Sequence, residues 1–180
     1  MNKSEIIELI ESLFAKRIEI GEHFDQKTAR GIVAGFPLFI ENVNDGRKIR
    51  IPVSVVGEIR SPRTFDKSNV IKDLPTLYEN SVLGWSEPEA IFDGHKRHAN
   101  VKEYHQYINK FSDGSDEYYI RFTVSEEKGS GRNSMYSATL SEISIYKKDG
   151  NLNQSSDYAR SEAGLPPFVD RKLQKFLTTK

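Results

Sequence analysis

The chain of 180 residues has no cysteine, which excludes disulfide frameworks, thiolate zinc sites and cysteine nucleophiles together. That absence fits a reducing, cytoplasmic compartment. No apolar run is long enough to cross a bilayer and no amino-terminal h-region is present, so the expectation is a chain that neither enters membranes nor carries a standard secretory signal. Net charge is missing too. The 26 Lys plus Arg balance 26 Asp plus Glu, so no whole-molecule field draws the chain to nucleic acid or an anionic membrane. Tryptophan occurs once and methionine twice. Ten Phe and eight Tyr supply bulky core material instead, which argues for one folded domain although only 37% of residues are hydrophobic.

Charge is uneven along the chain. Between Arg47 and Lys72 seven basic residues face two acidic ones, a local balance of +5 that suits either a basic groove or a solvated loop. The reading divides the chain into an N-terminal helical extension (1–36), an α+β core (37–149) and a linker with a C-terminal helix (150–180).

Ser4 suits an N-cap, and Ile6, Ile7, Leu9, Ile10, Leu13 and Phe14 recur at helical spacing. A second helix is expected after Asp25, ending near Gly35. Residues 38–43, the turn Asn44-Asp45-Gly46 and residues 47–51 read as a short hairpin, and Val53 to Ile59 fits strand or short helix alike. Asp66 or Ser68 caps a helix carrying Val70, Ile71, Leu74 and Leu77, which Pro75 interrupts or restarts. Val82 to Trp85 reads as a strand or its approach. Residues 87–99 read as a long loop, and residues 166–177 as a closing amphipathic helix.

The centre of the pattern is Asn100 to Tyr146. Two alternating runs flank the turn signal Ser112–Ser115, and a third follows a loop containing Gly129 and Gly131, which gives an antiparallel meander. The fold class expected is therefore α+β: N-terminal helices, a short hairpin, then a three- to four-stranded antiparallel meander with helices packed on one face and a C-terminal helix. Parity assigns Tyr104, Ile108, Tyr118, Ile120, Phe122, Val124, Tyr136, Ala138 and Leu140 to an apolar face. The other face collects Glu103, His105, Tyr107, Tyr119, Arg121, Thr123, Ser137, Thr139 and Ser141. A first hairpin centred on Asp113 sets His105 opposite Arg121, and a second centred near Ser130 sets Arg121 opposite Thr139, one row of His, Arg and Thr. Beyond Ser141 the parity flips to Ile143 and Ile145, which implies a bulge near Glu142.

His95, His98 and His105 could meet at a zinc ion only with Asp93 or Glu103 at no recognised spacing, so the expectation is no metal and no cofactor. Gly129-Ser130-Gly131 lacks the following helix and Lys of a phosphate loop and reads as a hairpin turn.

Several stretches taken together resemble a known family. They are the arm Asn44–Ile51, the basic loop Arg60–Ser68, the helix Asp73–Leu83, and the strands Tyr118–Val124 and Met135–Leu140. They resemble the third type of large polyvalent protein-associated domain, modules of giant multidomain proteins of phages and conjugative elements, over about Asp45 to Tyr146. More loosely, the order of elements is similar to the barnase, EndoU and RelE type of nuclease fold, which cleaves RNA on a sheet face. That second resemblance implies a metal-independent endoribonuclease, whose chemistry needs a base, an acid and a cation on one surface. On this reading His105 is acid or base, Arg121 the phosphate clamp, and Thr123, Thr139 and Tyr119 hydrogen-bond the substrate. Arg60, Ser61 and Lys67 close the site, although Arg60-Ser61 stands where such nucleases have a His-bearing helix. RNA and a protein are the candidate partners. Two other readings stay open: a non-catalytic binding module such as a phage-encoded inhibitor of a host defence, and a structural domain of a larger polyprotein.

Overall fold

A computed structural model describes residues 2–88, 91–92, 95–96, 101–127 and 138–148. The expected C-terminal helix, the linker before it and the glycine loop at 129–131 lie outside the described residues.

The first helix, α1 (Lys3–Ser12), starts two residues earlier than a Ser4 cap would start it. Asn2 is the N-cap: its side chain accepts the Glu5 amide at 3.0 Å while the Glu5 carboxylate accepts the Asn2 amide at 2.7 Å, a reciprocal capping box. After the two-residue strand β1 (Lys16–Arg17) comes α2 (Gln26–Ala34), capped as expected by Asp25, which accepts from the Thr28 amide at 2.8 Å. The arm is a hairpin of β2 (Ile40–Glu41) and β3 (Lys48–Ile49), turned at Gly46 with φ +74°, a conformation glycine adopts without cost. Buried Asn42 fastens the arm to residues 78–81 by donating to the Tyr78 and Ser81 carbonyls at 2.9 and 2.8 Å.

Residues Val53–Glu58 form a 3-10 helix rather than a strand, and β4 (Ile59–Arg60) follows. Asp66 caps a second 3-10 helix, Lys67–Asp73, and Pro75 then sits in the first turn of α3 (Leu74–Glu79), where its missing N–H costs nothing. The strand β5 (Val82–Pro88) reaches beyond Trp85. The segment expected as plain loop instead carries the short antiparallel pair β6 (Ile91–Phe92) and β7 (His95–Lys96). The meander is present as β8 (Val101–Ser112), β9 (Glu117–Glu127) and β10 (Ala138–Lys147).

These strands build a six-stranded mixed sheet in the order β1-β8-β9-β10-β4, with β5 also on β8. The pairs β5–β8, β8–β9 and β9–β10 are antiparallel, whereas β1 and β4 add short parallel edges. The bulge expected near Glu142 lies between Leu140 and Glu142.

The register of the first hairpin differs from expectation. Ile108, not His105, faces Arg121, and His105 faces Val124. The turn is the reason: Asp113 begins it rather than centring it. The Asp113 carboxylate accepts the Ser115 and Asp116 amides at 2.9 and 2.7 Å, and Gly114 takes φ +91°. An odd offset exchanges the faces of one strand relative to its partner. His105, Tyr107 and Phe111 therefore join Tyr118, Ile120, Phe122 and Val124. Ile108 joins Tyr119, Arg121 and Thr123 on the opposite side.

The first face is covered by α2, α3 and both 3-10 helices, and holds the larger core. Tyr78 packs edge-on against Tyr107 and Phe122, with centroids 5.2 and 5.9 Å away, and Phe111 stacks on Tyr118 at 5.1 Å. The second face is not open. Helix α1 seals part of it through Ile10, which packs with Val82, Ile108, Tyr119 and Tyr146. Helices thus lie on both faces rather than one. The second face needs this cover because Val82 of β5, Ile108 of β8, Tyr119 of β9 and Tyr146 of β10 gather apolar bulk there, worth about 1.5–3 kcal/mol per fully buried side chain.

Candidate functional site

The row of His, Arg and Thr does not form. In the β9–β10 register Arg121 faces Ser144, and Thr139 faces Ser125. Tyr119, Arg121, Thr123 and Thr139 share the second face, away from His105. Arg121 is 3% exposed, donates from Nη2 to Ser144 Oγ at 3.2 Å and lies 3.5 Å from Glu142 Oε1. The Thr123 hydroxyl donates to Gln106 Oε1 at 2.8 Å, and the Tyr119 hydroxyl to Glu11 Oε1 at 2.5 Å. These side chains knit the sheet to its neighbours. Thr139 also bridges Arg50 of the arm. In the basic loop Arg60 pairs with Glu58 at 3.7 Å, Ser61 is partly exposed, and Lys67 lines a separate cavity of about 330 Å³ with Phe24, Val56 and Ile71.

His105 anchors a different cluster at the end of the first face. With His105 opposite Val124, Glu126 is its same-face neighbour two residues on, and a β8 irregularity between Val101 and Glu103 sets Glu103 opposite Glu126. On the other edge of β8, Ser86 of β5 faces His105. His105 Nε2 is 2.7 Å from Glu126 Oε2 and 3.9 Å from Glu103 Oε2, and Nδ1 is 2.7 Å from Ser86 Oγ. A carboxylate only accepts, so Nε2–H donates to Glu126, and Nδ1 shares a hydrogen bond with the Ser86 hydroxyl. The imidazole is thereby held at both nitrogens.

The arm supplies the cation. Arg47 Nη1 lies 3.3 Å from Glu126 Oε2, its Nε donates to the Tyr107 hydroxyl at 2.9 Å, and that hydroxyl in turn donates to Asp45. Burial opposes the Arg47 charge, yet Tyr107, Glu126 and Asp45 more than offset this and hold its pKa above the ordinary arginine value. The His105 hydrogen bond, helped by Arg47, outweighs burial at Glu126 and keeps that carboxyl below its usual range. Burial and the Asp45 contact push the Tyr107 hydroxyl up. It remains a neutral donor.

The side chain of His105 is 5% exposed, while Glu126 and Glu103 are 25% and 36% exposed. The ring is fixed inside and its carboxylates meet solvent. Chemically the cluster offers a transferable proton between Nε2 and a carboxylate, beside a guanidinium able to hold an anion. The Glu103, His105 and Glu126 donor atoms also lie within 4.8 Å of one another, close enough to share an ion.

The sequence model of the large polyvalent protein-associated domain 3 matches residues 11–136, well over half of the chain. The chain belongs to that family. Neither a curated protein nor a solved structure matches it. Among the described residues no helix is long and apolar enough to cross a membrane. The match takes in every residue of the cluster, from Asp45 to Glu126, so the site lies within the polyvalent protein-associated domain itself.

Of the residues expected at the site, His105 alone stands in this cluster. Sequence reasoning missed Arg47, Ser86, Tyr107 as a partner, and Glu126. Glu126 was within reach: once the turn begins at Asp113, strand parity sets it beside His105. Arg47 had no such signal, because it joins Tyr107 across 60 residues of chain.

Proposed function

We propose that this domain of a phage or mobile-element polyprotein is a metal-independent endoribonuclease whose acid–base centre is the His105–Glu126 pair. The observation that carries the reading is the 2.7 Å contact between His105 Nε2 and Glu126 Oε2, with Arg47 at 3.3 Å from the same oxygen. RNA cleavage without a metal needs a group to take the 2′-hydroxyl proton, a second to protonate the 5′-oxygen as it leaves, and a cation on the phosphate. In the proposed step the 2′-oxygen attacks phosphorus, the P–O5′ bond breaks, and a 2′,3′-cyclic phosphate and a 5′-hydroxyl result. One member of the pair takes the first proton and the other returns one to the leaving oxygen, while Arg47 holds the non-bridging oxygens. Arg60, Ser61 and Lys67 enter this reading only as outlying contacts to a longer strand.

A second reading, a non-catalytic protein-binding module such as an inhibitor of a host defence, draws on Leu38 and Val43. They flank and extend the arm and are 70% and 69% exposed. The deciding experiment is cleavage of a mixed, fluorescently labelled RNA in EDTA. The wild type should cleave, and His105→Ala and Arg47→Ala, checked for folding, should each lose about a hundredfold or more. Wild-type cleavage no greater than that of a vector-purified control overturns the ribonuclease reading.

A further inference from the structure

The three donor atoms of Glu103, His105 and Glu126 also define a coordination geometry. We propose that they form a binding site for one divalent transition-metal ion, zinc being the best fit, and that occupation shuts the acid–base pair. The ion site goes beyond the ribonuclease reading and stands without it, whereas its effect on the acid–base pair rests on that reading.

The ligand set is one imidazole nitrogen with two carboxylates, a combination that suits zinc and related metals better than magnesium or calcium, which prefer oxygen alone. Tetrahedral zinc with bonds of 2.0–2.2 Å separates its donors by about 3.4 Å. The observed separations from His105 Nε2, 2.7 and 3.9 Å, bracket that value. Moving Glu126 out by about 0.7 Å and Glu103 in by about 0.5 Å brings both to that distance from Nε2. Both glutamates are partly exposed, so their ends can make those shifts. Buried His105 is the fixed point. Its Nδ1 already has an outer partner: once Nε2 binds metal, Nδ1 carries the hydrogen and donates to Ser86 Oγ, at 2.7 Å. Three protein ligands leave the fourth position to water.

The ion would replace the Nε2 proton, so binding releases a proton and removes the His105–Glu126 hydrogen bond. Arg47 opposes it, since its positive charge sits 3.3 Å from a ligand oxygen. Arg47→Gln should therefore tighten metal binding while weakening cleavage, two opposite effects from one substitution.

The test is calorimetric titration of the full chain with zinc chloride in chelator-free buffer, with circular dichroism confirming the fold of each variant. One equivalent should bind. Glu103→Gln and Glu126→Gln should each weaken binding at least tenfold, and the double variant His95→Ala with His98→Ala should bind as the wild type does. No binding, binding indifferent to Glu103→Gln, or binding abolished by the His95 and His98 changes overturns the inference. Cleavage in EDTA without zinc binding would leave the ribonuclease reading standing and remove this one. Zinc binding without cleavage would do the reverse.

Discussion

On one face of the β8–β9–β10 sheet Arg121 is a buried cation whose partners, Ser144 and Glu142, come from the adjacent strand. On the other face His105 is a buried titratable group whose partners come from β5, β8 and β9 and reach solvent through two carboxylates. Both faces hide polar groups in a low-dielectric setting where an unpaired one is costly. They differ in where the network ends. The Arg121 network stays within β9 and β10 and meets solvent only at Glu142, which suits a structural role. The His105 network ends at partly exposed Glu103, Glu126 and Arg47, which suits exchange of protons with a bound molecule.

Breaking the closed network should show a large stability effect. Arg121→Met strands Ser144 and Glu142 and should cost about 3 kcal/mol in urea unfolding, the low end for a broken buried pair because Glu142 is partly exposed. If the loss is below about 0.5 kcal/mol, Arg121 does not serve as the internal tie. The seal over that face is tested next. Ile10→Ala deletes a fully buried side chain at the α1 contact and should cost about 2–4 kcal/mol, with α1 amides losing hydrogen-exchange protection before those of β9. Uniform loss of protection would mean α1 and the sheet unfold as one unit.

The open network should show a smaller effect, visible in pH. The folded pKa of Glu126 lies below its ordinary 4.5, so this carboxylate contributes stability above that pH and loses it as the pH falls through the lowered value. Glu126→Gln should flatten that stretch of the acid-unfolding curve. The same carboxylate accepts from His105, so an unchanged curve would contradict the hydrogen bond that defines the site.

Much of this arrangement was legible in the residues. Asp25 announces α2, Pro75 restarts α3, and the flip from Leu140 to Ile143 marks the bulge, because each is a local signal read within a few positions. The register was not legible. Ser112–Ser115 identifies a turn, but which residue opens it depends on side-chain bonds from Asp113 to the backbone two and three residues on, and a shift of three positions reverses which residues share a face. Family resemblance came through the arm, the helix and the strands, while the arm's role lay hidden. Arg47 reads as a hairpin flank until folding carries it to Tyr107 and Glu126.

The central claim is that the chemistry belongs to the open network and not to the closed one. RNA cleavage in EDTA by Glu126→Gln and Thr123→Val, side by side with the wild type, tests it most directly. The account predicts that Glu126→Gln loses about a hundredfold or more while Thr123→Val stays within a few-fold of the wild type. A fully active Glu126→Gln beside a silent but folded Thr123→Val would move the chemistry to the face of Arg121 and contradict it.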